Sequence, residues 1–545
     1  MTSSTTTGPA VAVDRPDGWW QTAVVYQIYP RSFADSNGDG TGDIPGINQH
    51  LDYLAELGVD VVWLSPVYTS PMDDNGYDIS DYQDIDPLFG TLAELDEMIA
   101  GLHARGIKLI MDLVVNHTSD EHPWFVESRD PASAKRDWYF WRPPREGFAP
   151  GSDGAEPTNW EAAFSGSAWQ FDPKSGEYYL HLFSPKQPDL NWENPEVRQA
   201  IYAMMNWWVD RGVDGFRMDV INLISKSGLV DGEPRPGHKL ASCFDYTANG
   251  PRLDEFLAEM NAAVGLDARN LLTVGEMPGS SIATARTVTD PANHELNMVF
   301  TFEHVSLDAQ PGGRKWDLHP LSLPALKQNL NEWQIGLAEA GWNSLYWDNH
   351  DQPRAVSRFG DDSPEHRVNS AKTLATVQHV HKGTPYVYQG EELGMTNTYF
   401  ADIASYQDIE SLNYHADAMS LGLEAETVMH SLSVKSRDNA RTPMQWDDTK
   451  HAGFTDGIPW LPVNPNYVTI NAAAAMADQD SVFHHFRKLI MLRHELPVVA
   501  HGRFELLLPE HDQIWAITRT LDDQVLVMVA NCSAEPVTVP DGSLP

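Results

Sequence analysis

The sequence predicts an α/β chain built on a (β/α)8 barrel of the TIM type, with one domain inserted into it and an antiparallel β domain after it. Three observations carry this expectation. Short apolar runs alternate with helical segments along most of the chain, the pattern of a parallel sheet with crossover helices. The runs number eight, which favours a closed barrel over an open sheet. Several end in a carboxylate or an imidazole, and strand C-termini are where such barrels place their chemistry.

The elements follow in order. Residues 1–18 are rich in Thr and Ser, lack the apolar core of a signal peptide, and are expected to form a disordered leader. Residues 24–29 are the first strand, followed by an Asp/Gly-rich loop. Residues 46–57 read as a helix, with Ile47, Leu51, Leu54 and Leu57 at helical spacing. A second strand at 58–66 precedes a helix at 91–105, stopped by Gly106. The third strand is 107–115. Asn194 and Pro195 open a helix that Gly212 closes. Strands then fall at 215–220, 271–276, 297–302, 343–347 and 385–389, and helices at 251–264, 323–340, 365–382 and 480–494. The barrel is assigned to 19–117 and 191–500. Residues 118–190 are loop-rich and aromatic and break the alternation, so they are assigned to the inserted domain. Residues 501–545 alternate apolar and polar residues, as an antiparallel β domain does. It stops after a few strands and is expected to be cut short at Pro545.

A length of 545 residues allows two or three domains, and 42% hydrophobic residues suffice for a large core. A formal charge of −40 argues against nucleic acid and anionic membranes as partners. It suits a neutral polar substrate or a metal cation. Eighteen Trp exceed ordinary need and suit sugar stacking as well as core packing. Cys243 and Cys532 form neither ligand spacing nor a disulfide framework. No apolar run reaches the ~18 residues of a membrane span. A cytoplasmic monomer or small homo-oligomer is the default expectation.

The chemistry centres on the strand at 215–220. Arg217 and Asp219 stand two apart and project to one side. Alone, such a pair is more often a buried structural ion pair. Other strand ends, however, carry Asn116, His117, Glu276, His350 and Asp351. Three carboxylates and two imidazoles, without a Cys or Ser nucleophile motif, suit glycoside hydrolysis, which needs one charged and one protonated carboxyl. Arg217 is expected to keep Asp219 charged. Glu276, with apolar predecessors and two carboxylates nearby, is expected to be raised in pKa and to donate the proton. Asp351 is expected to stay ionised and to stabilise positive charge at the anomeric carbon.

Four stretches now stand in one order: Asp112 to His117, Gly215 to Asp219, Val274 to Glu276, and Asn349 to Asp351. Through them the chain resembles the alpha-amylase superfamily, glycoside hydrolase family 13, over nearly its whole length. The resemblance implies that Asp219 is the nucleophile, Glu276 the acid/base and Asp351 the transition-state stabiliser. It also implies that His117 and His350 bind sugar hydroxyls, that Arg217 and Val220 are among the substrate-binding residues, and that 118–190 and the C-terminal strands are domains B and C. Gln187-Pro188-Asp189-Leu190-Asn191, Asp74 to Asp78 and Arg437 to Trp446 are similar to the oligo-1,6-glucosidase and alpha-glucosidase branch. That implies roles for Asp74 and Arg437 in binding terminal glucose and closing the pocket, and for Tyr77 in stacking on the ring. Val220 after the nucleophile implies activity on α-1,6 links in that branch. The implied activity is a retaining exo-acting alpha-glucosidase acting on small α-glucoside oligosaccharides. The alternatives are a sucrose isomerase, trehalose synthase or glucosyltransferase on the same scaffold, and a non-enzymatic relative such as a transporter heavy chain. The full catalytic set argues against the last.

Asp35, Asn37, Asp39, Thr41 and Asp43 place oxygen side chains at alternate positions around glycines, an arrangement that suits a hard cation. The loop departs from an EF-hand, since Gly46 stands where the bidentate Glu belongs. Related glucosidases carry calcium at a matching loop, so a structural Ca2+ is expected. No organic cofactor is expected.

Overall fold

The computed structural model describes residues 18–234 and 239–545. The leader assigned to 1–18 therefore lies outside the described residues, Gly18 excepted.

Eight strands form the barrel: β1 Val25–Ile28, β2 Val61–Leu64, β3 Lys108–Val114, β4 Gly215–Asp219, β5 Leu272–Glu276, β6 Met298–Phe300, β7 Ser344–Leu345 and β8 Thr384–Tyr388. They run β6-β5-β4-β3-β2-β1-β8-β7 and every ladder is parallel. A parallel bridge between Val299 and Asn343 closes the ring. Ser344 Oγ reinforces it by donating to Val299 O at 2.6 Å. β7 is shorter than the expected 343–347, because Tyr346 and Trp347 leave the ladder to lead into the turn at Asp348.

The outer ring comprises α1 Leu51–Leu57, α2 Leu92–Ala104, α3 Pro195–Arg211, α4 Leu253–Val264, α5 Ile282–Thr289, α6 Leu323–Gly336, α7 Arg367–Val380 and α8 Val482–Glu495. The caps explain the boundaries. Thr91 accepts from Glu94 N and its hydroxyl donates to Glu94 Oε2 at 2.9 Å, an N-cap at the start of α2. Asn194 caps α3, Pro195 opens it, and left-handed Gly212 ends it. The expected helix at 46–57 is two pieces, Ile44–Asn48 and α1, because His50 at φ −116°, ψ 14° interrupts it.

Alternation along the strands sorts side chains between two cores. Val25, Val61, Trp63, Ile110, Leu272, Val274, Met298, Phe300 and Tyr386 fill the barrel interior. Tyr26, Val62, Leu64, Met111, Phe216 and Met218 face the helices. With period two, Arg217 and Asp219 belong to the interior face of β4, and Glu276 follows Val274 on the interior face of β5. Gly215 lets β4 lie this close to β5. Its φ is +155°, and a Cβ there would stand 2.0 Å from Leu272 O.

Between β3 and α3 the chain makes a three-stranded antiparallel sheet from Trp141–Arg142, Glu177–Leu180 and Trp169–Asp172. Its return is tied down by bridges His117 to Asp189 and Tyr139 to Leu190. After α8, β9 Arg503–Leu507, β10 Ile514–Leu521 and β11 Gln524–Asn531 form an antiparallel meander. Trp515, Ile517 and Met528 pack it against Leu326, Leu374 and Val377 of α6 and α7. Buried Lys327 adds three bonds, donating to Leu508 O, His511 O and Ile514 O at 2.7, 2.6 and 3.0 Å. Among the described residues no helix is long and apolar enough to cross a membrane.

Candidate active site

At the C-terminal mouth of the barrel a cavity of about 90 Å³ is lined by Asp74, Tyr77, His117, Phe164, Phe183, Gln187, Asp219, Val220, Glu276, Asp351 and Arg437. Four barrel strand ends, the loop after β2, the insertion and the segment after β8 all contribute. Larger cavities exist elsewhere, but among the described residues none gathers convergent carboxylates around buried arginines.

Arg217 is the hub beneath the cavity and is 1% exposed. Its Nη1 donates to Asp112 Oδ1 at 2.7 Å and to Asp219 Oδ1 at 2.8 Å, and its Nη2 to Glu276 Oε2 at 2.6 Å. One planar fork thus holds both candidate catalytic carboxyls. Glu276 Oε2 also accepts from Val220 N at 3.1 Å. Val220 has φ 37° and ψ 40°, an uncommon left-handed conformation for a β-branched residue, and it turns this amide toward Glu276. The sequence assigned Arg217 to substrate binding. In the structure it does not border the cavity, because three carboxylates use its outward donors, so its role is positioning.

The electrostatics correct a second expectation. Arg217 was expected to lower the pKa of Asp219 and keep it charged. Burial raises the Asp219 carboxyl well above its ordinary value; Arg217 opposes this, but Glu276 and Asp112 add to it. Asp351 is different. Burial would raise it, yet His350, Arg437 and Arg441 hold it well below the usual carboxylate range. Its Oδ1 accepts from Arg437 Nη1 at 3.1 Å and Arg441 Nη2 at 2.8 Å.

His350 is buried behind Asp351 and does not border the cavity. Its Nδ1 lies 2.8 Å from Gln27 Nε2, a donor, which assigns the ring proton to Nε2. Nε2 faces Tyr77 Oη at 2.7 Å and Asp351 Oδ2 at 3.0 Å. Tyr77 Oη passes the chain on to Asp112 Oδ2 at 2.9 Å. The Tyr77 ring lies parallel to His350 at 5.2 Å and also borders the cavity. His117 borders it as well, 3.2 Å from Tyr77 O and 3.3 Å from Gln187 Nε2, and burial lowers its pKa to about 4. It is a neutral hydrogen-bonding group near pH 7.

One end of the cavity is closed by ion pairs. Arg437 Nη2 reaches Asp74 Oδ1 at 3.3 Å, and Gln187 Nε2 donates to Asp74 Oδ2 at 3.2 Å. Burial raises Asp74 to about 7 against the pull of Arg437 and Arg441. Asp408, fully buried, accepts from Arg437 Nε at 2.9 Å and lies 3.5 Å from Arg441 Nη1. The guanidinium of Arg437 also covers the Phe164 ring at 5.1 Å.

Sequence reasoning missed Asp408, Phe164 and Phe183, which lie in irregular segments without a strand-end signal. Asp112, Gln187 and Arg441 stood inside the quoted motifs without an assigned role. Among the described residues no Trp lines the cavity; Trp63, Trp160, Trp192, Trp208 and Trp515 are fully buried core. The loop of Asp35, Asn37, Asp39, Thr41 and Asp43 lies outside the cavity. Asp35 accepts from the amides of Asn37, Gly38 and Gly40, Asn37 from that of Asp39, and Asp39 from that of Thr41. Asp43 caps the following helix through Gly46 N at 2.6 Å. Among the described residues no group of three Asp, Glu, His or Cys side chains converges as a metal site. Cation binding here would draw on Asn37, Thr41 and carbonyl oxygens beside Asp35, Asp39 and Asp43.

Comparison with known proteins agrees with this geometry. The family model described as the alpha amylase catalytic domain matches residues 27–502. An oligo-1,6-glucosidase of Halalkalibacterium halodurans is 59% identical over 94% of this chain and 90% of its own. An oligo-1,6-glucosidase of Parageobacillus thermoglucosidasius is likewise 59% identical, over the same shares. Among solved structures, a trehalose-6-phosphate hydrolase of Bacillus licheniformis superimposes with a TM-score of 0.90 at 47% identity, covering 96% of this chain and 93% of that one. With the match spanning the barrel and its insertion, the chain belongs to the alpha-amylase catalytic-domain family, glycoside hydrolase family 13, in its oligo-1,6-glucosidase branch.

Proposed function

We propose that the chain is a retaining, exo-acting alpha-glucosidase that releases the non-reducing terminal glucose of short α-linked oligosaccharides, α-1,6 links among them. The observation that carries this is the Arg217 fork, which holds Asp219 and Glu276 together at a cavity closed by Asp74 and Arg437. Two carboxyls on one guanidinium stand close, as in retaining enzymes; inverting enzymes need about 6.5–9.5 Å to admit a water between them. The closed end limits the enzyme to a chain terminus.

Glu276 Oε2 is committed to Arg217 and Val220 N, so Oε1 is the oxygen left for the proton. Asp219 attacks the anomeric carbon as a carboxylate while Glu276 gives its proton to the departing glycosidic oxygen. The products are a free shorter saccharide and a glucosyl ester on Asp219. Glu276, now ionised, takes a proton from water, which attacks the ester and restores both groups. Asp351, held charged by two arginines, opposes the positive charge that develops on the sugar. His117 and Gln187 supply neutral hydrogen bonds to hydroxyls.

A calcium ion in the loop of Asp35 to Asp43 is part of the proposal, in a structural role. Its support is the alternate oxygen donors of Asp35, Asn37, Asp39, Thr41 and Asp43 around the glycines of the loop. A chelator should then lower Tm, calcium restore it, and the rate constant of folded enzyme change little.

Initial rates on isomaltose, maltose, sucrose, trehalose and trehalose 6-phosphate, with products identified, test the function. Glucose release from isomaltose with retained α configuration is expected. Isomerised sucrose as the main product, or cleavage confined to trehalose 6-phosphate, would replace this function with the corresponding alternative.

A further inference from the structure

The turn that carries Asp351 rests on two carboxyls for which the mechanism above has no use. Asp348 leaves β7 and Glu391 follows β8. Both are buried, at 2% and 7% exposure, and both border one internal cavity of about 10 Å³. One oxygen of each is bonded to the backbone: Asp348 Oδ2 accepts from Ala355 N at 2.8 Å, and Glu391 Oε2 from Tyr388 N at 3.3 Å. The second oxygen of each, Asp348 Oδ1 and Glu391 Oε1, is buried without any donor. An ionised carboxylate only accepts, so two of them cannot satisfy each other. A carboxylic acid beside a carboxylate can, because its O–H donates, and such a bond to a charged acceptor is short and strong.

We propose that Glu391 retains its proton and donates it from Oε1 to Oδ1 of Asp348, and that this acid pair positions the Asn349-His350-Asp351 turn against the end of β8. The surrounding charges favour this placement of the proton. Burial raises Asp348 to about 6, but the guanidinium groups of Arg354 and Arg358 pull it back toward its ionised form. Glu391 faces Asp348 and Glu392, which favour its neutral form, after burial has done so. Glu392 is satisfied separately, accepting from Tyr26 and Tyr53 hydroxyls at 2.8 and 2.6 Å. Tyr388 donates its hydroxyl to Ala440 O, and Arg367 Nη1 donates to Leu393 O and Gly394 O, both at 2.9 Å. The link to the site is direct. The residue after Asp348 is Asn349, whose Oδ1 accepts from Asp351 N at 2.8 Å. Loss of the shared proton sets two charged carboxylates against each other in a dry cavity and displaces that turn. Asp348 and Glu391 are thus positioning residues, and the rate is expected to fall on the alkaline side when the pair ionises. The kinetic part rests on the role proposed for Asp351.

Difference infrared spectra of the full chain near pH 7, wild type against Glu391→Gln, test the pair without reference to activity. A protonated-carboxyl band present in wild type and absent in the variant is expected; no such difference overturns the proposal. In kinetics, Glu391→Gln keeps a donor to Asp348 at every pH. It should hold near-wild-type kcat at neutral pH and flatten the alkaline decline, whereas Glu391→Ala should lose about tenfold in kcat through an unsatisfied buried acceptor. Equal losses in both variants, or an unchanged alkaline limb in Glu391→Gln, overturn the positioning role. If Asp351→Asn kept full activity while the band behaved as expected, the fault would lie with the proposed function and not with the pair.

Discussion

Arg217→Lys is the most informative perturbation of the site. The guanidinium is 1% exposed and touches Asp112, Asp219 and Glu276, the first fully buried and the other two nearly so. Lysine retains the charge but is a point donor on a flexible stem, so it cannot span Nη1 on Asp219 and Nη2 on Glu276 together. At least one carboxylate is then left buried and unpaired, an event that costs about 3–5 kcal/mol where it has been measured. Part of that is relieved by protonation, since Asp219 loses the lowering influence of Arg217. The variant should therefore fold, with a lower urea midpoint. A misplacement of about 1 Å at the reacting groups costs about 10²-fold in rate, and kcat on isomaltose should fall on that scale. The sign of the pH effect follows from the same geometry. Without the fork the Asp219 carboxyl rises further, and the acidic limb of kcat/KM moves to higher pH. Urea unfolding, kcat and the pH profile are measured on one preparation. Wild-type kcat with an unmoved acidic limb would refute the claim that Arg217 sets the spacing and charge of the pair.

Other outcomes follow from single contacts. Gly215→Ala brings a Cβ to 2.0 Å from Leu272 O, so β4 must move from β5; a lowered Tm with a larger proportional loss of kcat is expected, and an unaffected Tm would contradict the packing. Lys327→Met removes the donor from three carbonyls and should cost about 1–3 kcal/mol in urea unfolding, more than Lys→Met at any exposed site. Asp74 titrates near 7 in the folded chain, above its ordinary value, so its contribution to stability is complete below about pH 4 and is lost as pH rises through about 7. Asp74→Asn should flatten that part of the Tm-against-pH curve in ligand-free protein; an identical curve would remove Asp74 as its source. Val220→Thr adds one hydroxyl at the cavity wall and should shift the isomaltose-to-maltose ratio of kcat/KM toward maltose by about tenfold, whereas an unmoved ratio assigns linkage choice to other loops.

The barrel was legible because buried parallel strands write themselves as apolar runs, and the strand-end residues Asp219, Glu276 and Asp351 were legible for the same reason. Their partners were only partly so. Arg217 announced itself through the i, i+2 rule, but its bonds to Asp112 and Glu276 are contacts between neighbouring strands that no local pattern encodes. Its placement below the cavity, instead of on its wall, follows from those contacts. Asp408 holds Arg437 from an irregular segment after the last strand, where spacing has no meaning. The sign of the Asp219 shift was misjudged because proximity to Arg217 is visible in sequence, while the depth of burial that outweighs it is not. The conformation of Val220 was likewise hidden, since Val is a residue that sequence rules place in strands.

The central claim is a covalent bond between glucose and Asp219. A fluorinated glucosyl donor with a good leaving group slows hydrolysis of the ester more than its formation, and peptide mass spectrometry locates the adduct. The account predicts one glucosyl unit on the peptide containing Asp219, its loss in Asp219→Asn, and continued labelling in Glu276→Gln because such a donor needs little protonation. An adduct on Glu276 or Asp351, or inactivation with no covalent adduct at all, would contradict it.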